Sequence, residues 1–170
     1  GQINVETKKP NASEKLFANV YMNSFLEKHV NLATNFKKGK WHSLLAFHMV
    51  QPANKIDRDK DDFLDLPLLT RYMIMNKWKV GKENDWGWSS EIAVRFLNEN
   101  RVGGQRFFNA SEHKGSSTIY GNNQNTERFS QEFRLSHEGT KWAWLAGVFF
   151  ERFDDDWEYR SQMDDFESTN

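Results

Sequence analysis

Asp57, Asp59, Asp61 and Asp65 stand at close, mostly alternating positions in one polar stretch. Hard carboxylate oxygens so spaced are what a calcium ion takes as ligands, and the first three match the opening of an EF-hand loop. The rest of that pattern is missing. Asp62 stands where the sharp turn wants glycine, and Leu68 stands where a bidentate glutamate belongs. A full EF-hand is excluded, which leaves two readings open. One is a looser calcium site stapling a loop; the other is a solvated acidic loop in which Arg58 and Lys60 dilute the charge.

Other chemistry-bearing residues are less organised. Asp154-Asp155-Asp156, with Asp164, Asp165 and Glu167 further on, reads as a solvated acidic connection. His29, His42, His48, His113 and His137 lack metal-ligand spacing such as H-x-x-x-H, so on strands they are expected to face either side at random. No Ser/His/Asp order and no glycine-rich phosphate loop stands out, and Gly103-Gly104 alone signals a turn. No catalytic residue is assigned, and no enzyme is expected.

The elements that must position these residues are strands. Leu16, Ala18, Val20 and Met22 alternate with Phe17, Asn19, Tyr21 and Asn23, the period of two of a strand. The same alternation runs from Val30 to Phe36 and from Trp86 to Asn98, while Trp41 to Val50 returns with apolar residues on both faces and Leu69 to Lys79 is a mixed strand ending in Trp78. It is cleanest from Glu127 to Ser136, where Phe129, Gln131, Phe133 and Leu135 oppose Arg128, Ser130, Glu132, Arg134 and Ser136. Trp142, Trp144, Ala146, Val148 and Phe150 continue it, and Trp157 to Met163 is expected to add one more strand. Helical spacing fails, because Arg and Glu would fall on every side of the helix.

Tight polar connections at Lys37–Lys40, Gly81–Asp85 and His137–Thr140 alternate with two long ones, 51–67 and 99–126. Short and long connections thus sort to opposite ends of the strands, the pattern of an up-and-down barrel with short periplasmic turns and long extracellular loops. The strand runs of about 8 to 12 residues suit the roughly 9 to 11 that a tilted strand needs to cross a bilayer. Trp41, Trp78, Trp86, Trp88 and Trp142 cluster near the short turns, where an interfacial aromatic girdle would sit. The expected fold is all-β: an antiparallel up-and-down meander of about eight long strands. It would be part of a transmembrane β-barrel, and an open curved sheet when alone.

Composition is consistent with that. The net charge is −1, so nothing favours a nucleic-acid partner, and cysteine is absent, which removes disulfides and thiolate metal sites. No run approaches a transmembrane helix. A mean hydropathy of −0.83 does not oppose a barrel, whose strands turn one face to lipid and the other to water or a plug. The strand-like opening Gly1–Val5, the lack of a signal peptide and the polar close Phe166–Asn170 suggest an excised or truncated segment.

Gly1-Gln2-Ile3-Asn4-Val5-Glu6-Thr7-Lys8-Lys9-Pro10 resembles the "G-x-I-N-[IV]-x-T-K-K-P" junction between plug and barrel in TonB-dependent outer-membrane transporters. The stretch Thr126–Ser136, followed by Trp142–Glu151, is similar to the "F-S-Q-E-x-R-L … W-x-A-G-x-[FY]-x-E" hairpin of the same barrels. Asp57–Pro67, Asn76–Lys79 and Arg101–Gln105 look like members from Bacteroides-type bacteria, while the later hairpin looks more proteobacterial. Most of a plug and the terminal aromatic-ended strand are missing, and the family's barrels close with about 22 strands.

The resemblance implies an organisation of 1–10 as the end of the plug and 11–170 as the N-terminal part of the barrel, with extracellular loops at 51–67 and 99–126. It implies a bacterial outer membrane, lipid as the surrounding partner, and import of a scarce nutrient such as an iron chelate, haem or a corrinoid. Energy would come through the coupling protein TonB, which would act on the missing plug. Lumen-facing Asn19, Asn23, Asn31, Asn35, Glu132 and Arg134 would contact that plug or line the barrel. The alternative is a stand-alone small outer-membrane barrel or a soluble β-sandwich binding module.

Overall fold

The computed structural model describes residues 8–81, 87–140 and 142–159. Seven strands form one antiparallel sheet in strict sequence order: β1 (Leu16–Met22), β2 (Lys28–Lys38), β3 (Trp41–Gln51), β4 (Leu68–Val80), β5 (Gly87–Gly104), β6 (Gly121–Glu138) and β7 (Ala143–Tyr159). The helical structure among the described residues is a single 3₁₀ turn, Pro10–Ala12. No described strand pairs β1 with β7, so the meander is open.

The sheet is curved. One hollow of about 580 Å³ is lined by Ala33 of β2, Leu44 of β3, Met75 of β4, Leu97 of β5, Ser130 of β6 and Phe149 of β7, which a flat sheet could not gather. The face carrying these residues is therefore concave.

Register assigns every other side chain, because residues directly opposite each other share a face. The convex face carries rows that are apolar across many strands. Leu32, Phe47, Ile74, Phe96 and Phe129 stand in one row, and Phe36, Ser43, Trp78, Ile92, Phe133 and Val148 in another. The concave face carries Lys37, His42, Lys79, Glu91 and Arg134 in one row and Val50, Arg71, Glu99 and Thr126 in another. Phe133 thus shares the convex face with Val148 and Phe150, while Arg128, Glu132 and Arg134 take the other, as the alternation requires. The polarity is inverted relative to a water-soluble sheet: Val20 is 74% exposed and Val148 70%, while Lys77 is 5% exposed.

The connections sort by end. Gly39-Lys40 and 139–142 close hairpins at one end, with Gly39 in the left-handed conformation at φ 60°. Residues 52–67 and 105–120 connect strands at the other end. The β1–β2 turn also lies there, and Asn23 caps it by accepting from the amides of Phe25 and Glu27 at 2.9 and 3.1 Å. Asn23 therefore serves the turn rather than a lumen wall.

Three expectations need correction. Among the described residues the strands number seven, and the expected start of one more strand at Trp157 lies inside β7, which runs on to Tyr159; residues 160–163 of that strand lie outside the described residues. The acidic trio is accordingly not in a connection, since Asp154, Asp155 and Asp156 pair with Glu127, Thr126 and Asn125. The second long loop is 105–120, not 99–126, and β5 and β6 run 18 residues each. Alternation marks a strand only where one of its faces is apolar. Beyond Phe96 and Phe129 the ladder passes into asparagines, with Asn100 donating to Asn123 and Asn125, and the pattern vanishes while the pairing continues.

The long connections pack on each other. Phe63 bridges to Gln105, Leu64 N–H donates to the Gly104 carbonyl at 2.9 Å, and Lys55 Nζ donates to the Arg106 and Phe108 carbonyls. Phe108 is buried against Gly121, where any Cβ would overlap its ring. Gly121→Ala is expected to unseat Phe108 and cost about 1 to 3 kcal/mol. Limited proteolysis should then cut within 105–120 faster than in the parent, while the strands stay resistant.

Candidate functional site

The concave wall holds the densest polar chemistry. Lys77 Nζ lies 3.0 Å from Glu91 Oε1, and Arg128 Nε lies 2.9 Å from Glu151 Oε1. Glu99 is held between Arg71 and Arg101, and Glu132 pairs with Arg134 while Arg95 Nη2 stands 3.8 Å away. Asp155 accepts from Thr126 Oγ1 at 2.7 Å and from Gln124 Nε2 at 3.2 Å. These pairs are mostly cross-strand neighbours, so the register builds the network. Between them Leu44, Met73, Met75, Leu97 and Phe149 leave the apolar-floored hollow, rimmed by Arg95, Arg128 and Glu151.

The segment before β1 runs along this same wall. Pro10 is fully buried, and Asn35 Nδ2 donates to the Pro10 and Ser13 carbonyls. Lys8 sits 4.9 Å from the centroid of the Phe17 ring and 3.2 Å from Glu14. Lys9 lines a cleft with Lys79, Ser89, Glu91 and Arg134, toward the short-turn end. The chain therefore enters β1 from the concave side. Residues 1–7 of the plug-like opening lie outside the described residues.

At the short-turn end of the convex face the aromatic residues cluster. Trp88 packs edge-on against His137 at 5.1 Å and against Trp144 at 5.3 Å, and Trp142 stacks on His137 at 4.5 Å. Trp41 joins that end at 61% exposure, Trp78 is half-buried one strand over, and Trp86 lies outside the described residues.

The acidic loop is compact. One carboxylate oxygen from each of Asp57, Asp59 and Asp61 lies within 4.8 Å of the others, a spacing that could hold a cation. Asp65 stands apart and accepts from the Arg58 amide through both oxygens at 3.2 Å. Asp57 accepts from the amides of Asp61 and Asp62, and Asp61 accepts from Phe63. These bonds hold left-handed Lys60 and Asp62 at φ 61° and 66°. Three of the four aspartates thus already serve the loop backbone. Asp59 takes the strain of the like charges: Asp61 beside it raises its carboxyl above the ordinary aspartate range, with burial, Asp65 and Asp57 adding.

The histidines are not scattered at random. His29, His42 and His48 all lie on the concave face, His137 on the convex one, and His113 in the 105–120 loop, where its Nδ1 receives the Asn109 amide at 3.0 Å. Hairpin register was the signal available: with Lys38 opposite Trp41, residue 31 must oppose residue 48. Asp164, Asp165 and Glu167 lie outside the described residues.

No protein-family model matches the chain, and no solved structure matches it. Among curated proteins it is similar to cathepsin O of Mus musculus, 33% identical over 81 residues, which are 46% of this chain and 26% of that protein. The chain thus spans about a quarter of the length of the curated relative it matches. So partial a likeness does not show a family.

The wall network makes one stability prediction. Lys77 is nearly fully buried beside Glu91, so Glu91→Gln removes a charged partner from a buried ammonium and is expected to cost about 1.5 to 3 kcal/mol. Adding Lys77→Met should restore most of it. Denaturant midpoints of the single and double variants check this.

Proposed function

We propose that this chain is part of the wall of a TonB-dependent outer-membrane transporter that imports a scarce nutrient: an iron chelate, haem or a corrinoid. The observation that carries the reading is the inverted polarity of the seven-stranded sheet, apolar on its convex face and charged on its concave one. A membrane barrel needs that arrangement, with lipid outside and a polar lumen inside. Along β5 the apolar band runs from Trp88 to Phe96, about nine residues, the length that crosses a bilayer.

Two further features support it. Both long loops, 52–67 and 105–120, lie at one end together with the β1–β2 turn, and the aromatic cluster of Trp88, Trp142 and Trp144 borders the apolar band at the other. The segment leading into β1 lies against the concave wall, which is where a plug inside the lumen would hand over to the barrel. The chain's own residues do no catalysis in this reading. They form a sealed wall, while energy reaches the lumen through TonB acting on the plug. The acidic loop of Asp57, Asp59, Asp61 and Asp65 would face outward, with calcium as its candidate ion.

Within the complete reading frame, Phe133→Arg should abolish outer-membrane assembly and uptake, because Arg at mid-membrane depth costs about 2 to 4 kcal/mol. Glu132→Gln, one residue away on the opposite face, should assemble. Uptake by the parent should stop when the inner-membrane proton gradient is dissipated. Equal tolerance of the two substitutions, or uptake indifferent to the gradient, would overturn the reading.

A further inference from the structure

His29 on β2 and His48 on β3 are diagonal neighbours on the concave face, since Asn31 stands opposite His48 and His29 opposite Val50. Their ring centroids are 6.3 Å apart, with the planes at 48°. Each ring is held through one nitrogen only among the described residues. His29 Nε2 lies 2.7 Å from Glu27 Oε1, and His48 Nδ1 lies 2.7 Å from Asn31 Oδ1. Asn31 is itself oriented by donating to Asn19 Oδ1 at 3.4 Å.

A carboxylate and an amide oxygen can only accept, so each bonded nitrogen carries the proton. His29 Nδ1 and His48 Nε2 are then left with lone pairs. A neutral imidazole fixed by an oxygen acceptor on its far nitrogen is the way metal-ligating histidines are oriented and made more basic. With metal–nitrogen bonds of about 2.1 Å, a tetrahedral ion joins imidazole centroids about 5.3 Å apart, so side-chain rotation must bring the pair, now 6.3 Å apart, about 1 Å closer.

We propose that His29 and His48 together bind one divalent first-row transition-metal ion of the zinc, copper and nickel group. Imidazole pairs suit these ions, whereas calcium and magnesium prefer oxygen shells. The charge around the pair is mixed: Arg71 acts on His48 and disfavours added positive charge there. Glu27 contributes a negative charge beside His29, and the nearest cation, Arg71 on β4, is engaged by Glu99. Tyr21 on β1 stands opposite His29, on the side away from β3, its ring centroid 5.6 Å away. Water fills the remaining coordination positions. The site rests on strand register alone and would exist in a soluble sheet as well, so it stands apart from the transport reading.

The test uses the full chain in detergent micelles. Titration with zinc chloride by calorimetry should show one saturable site, and copper(II) sulfate should give an electron-spin-resonance spectrum with two nitrogen ligands. His29→Gln and His48→Gln should each weaken binding about tenfold or more, and Glu27→Gln, which only orients His29, by about tenfold. Glu112→Gln, exposed in the 105–120 loop, should leave zinc affinity unchanged. The spectrum of the unaltered chain reads ligation even where a variant fails to fold. Absence of saturable binding, oxygen-only or single-nitrogen coordination, or loss of binding in Glu112→Gln rather than in the histidine variants would overturn the proposal.

Discussion

The antiparallel ladder is the constraint on which everything else depends. It pairs each strand with the next in unbroken sequence order, and its period of two then decides which face each side chain joins. A slip of one residue between β6 and β7 would carry Arg128, Glu132 and Arg134 to the apolar face and Phe129, Phe133 and Leu135 into the charged one. The short turn after Glu138 leaves little slack for such a slip, since the Gly139 amide already closes on the Trp142 carbonyl at 3.1 Å. Register is thus specified twice, by turn geometry and by polarity.

The same ladder makes the sheet an incomplete object in water. Convex-face apolar residues lie open to solvent on all seven strands, whereas soluble monomers rarely leave contiguous apolar patches larger than a few hundred Å². The outer edges of β1 and β7 bear no described strand. In hydrocarbon each unpaired backbone group there would cost several kcal/mol, so further pairing at those edges is needed for the sheet to sit in lipid. The concave face carries ion pairs, most of them across strands, with an apolar hollow among them.

How much was legible follows from what each strand shows to its surroundings. β1 begins at Leu16, where the alternation begins, because Leu16, Ala18, Val20 and Met22 keep one face continuously apolar. β5 and β6 overran their expected ends because Asn98, Asn100, Asn123 and Asn125 keep the ladder while erasing the contrast between faces. Asp154–Asp156 misled for the opposite reason: a run of like charges resembles a loop, yet Asp155 is drawn to Thr126 and Gln124 across the strand pair. The aspartate cluster was visible by spacing alone, but its service to backbone amides was not. The meeting of His29 and His48 required register, which sequence spacing does not express.

The absence of cysteine allows the central claim, that the convex face meets lipid and the concave face meets water, to be read residue by residue. Single cysteines placed in turn at Phe129, Ser130, Gln131, Glu132, Phe133 and Arg134 of the membrane-inserted protein would be reacted with a water-soluble maleimide. Labelling should alternate, fast at 130, 132 and 134 and slow at 129, 131 and 133, with a lipid-phase probe showing the reverse. Uniform labelling along β6, or fast reaction at 133 with protection at 132, would contradict the account.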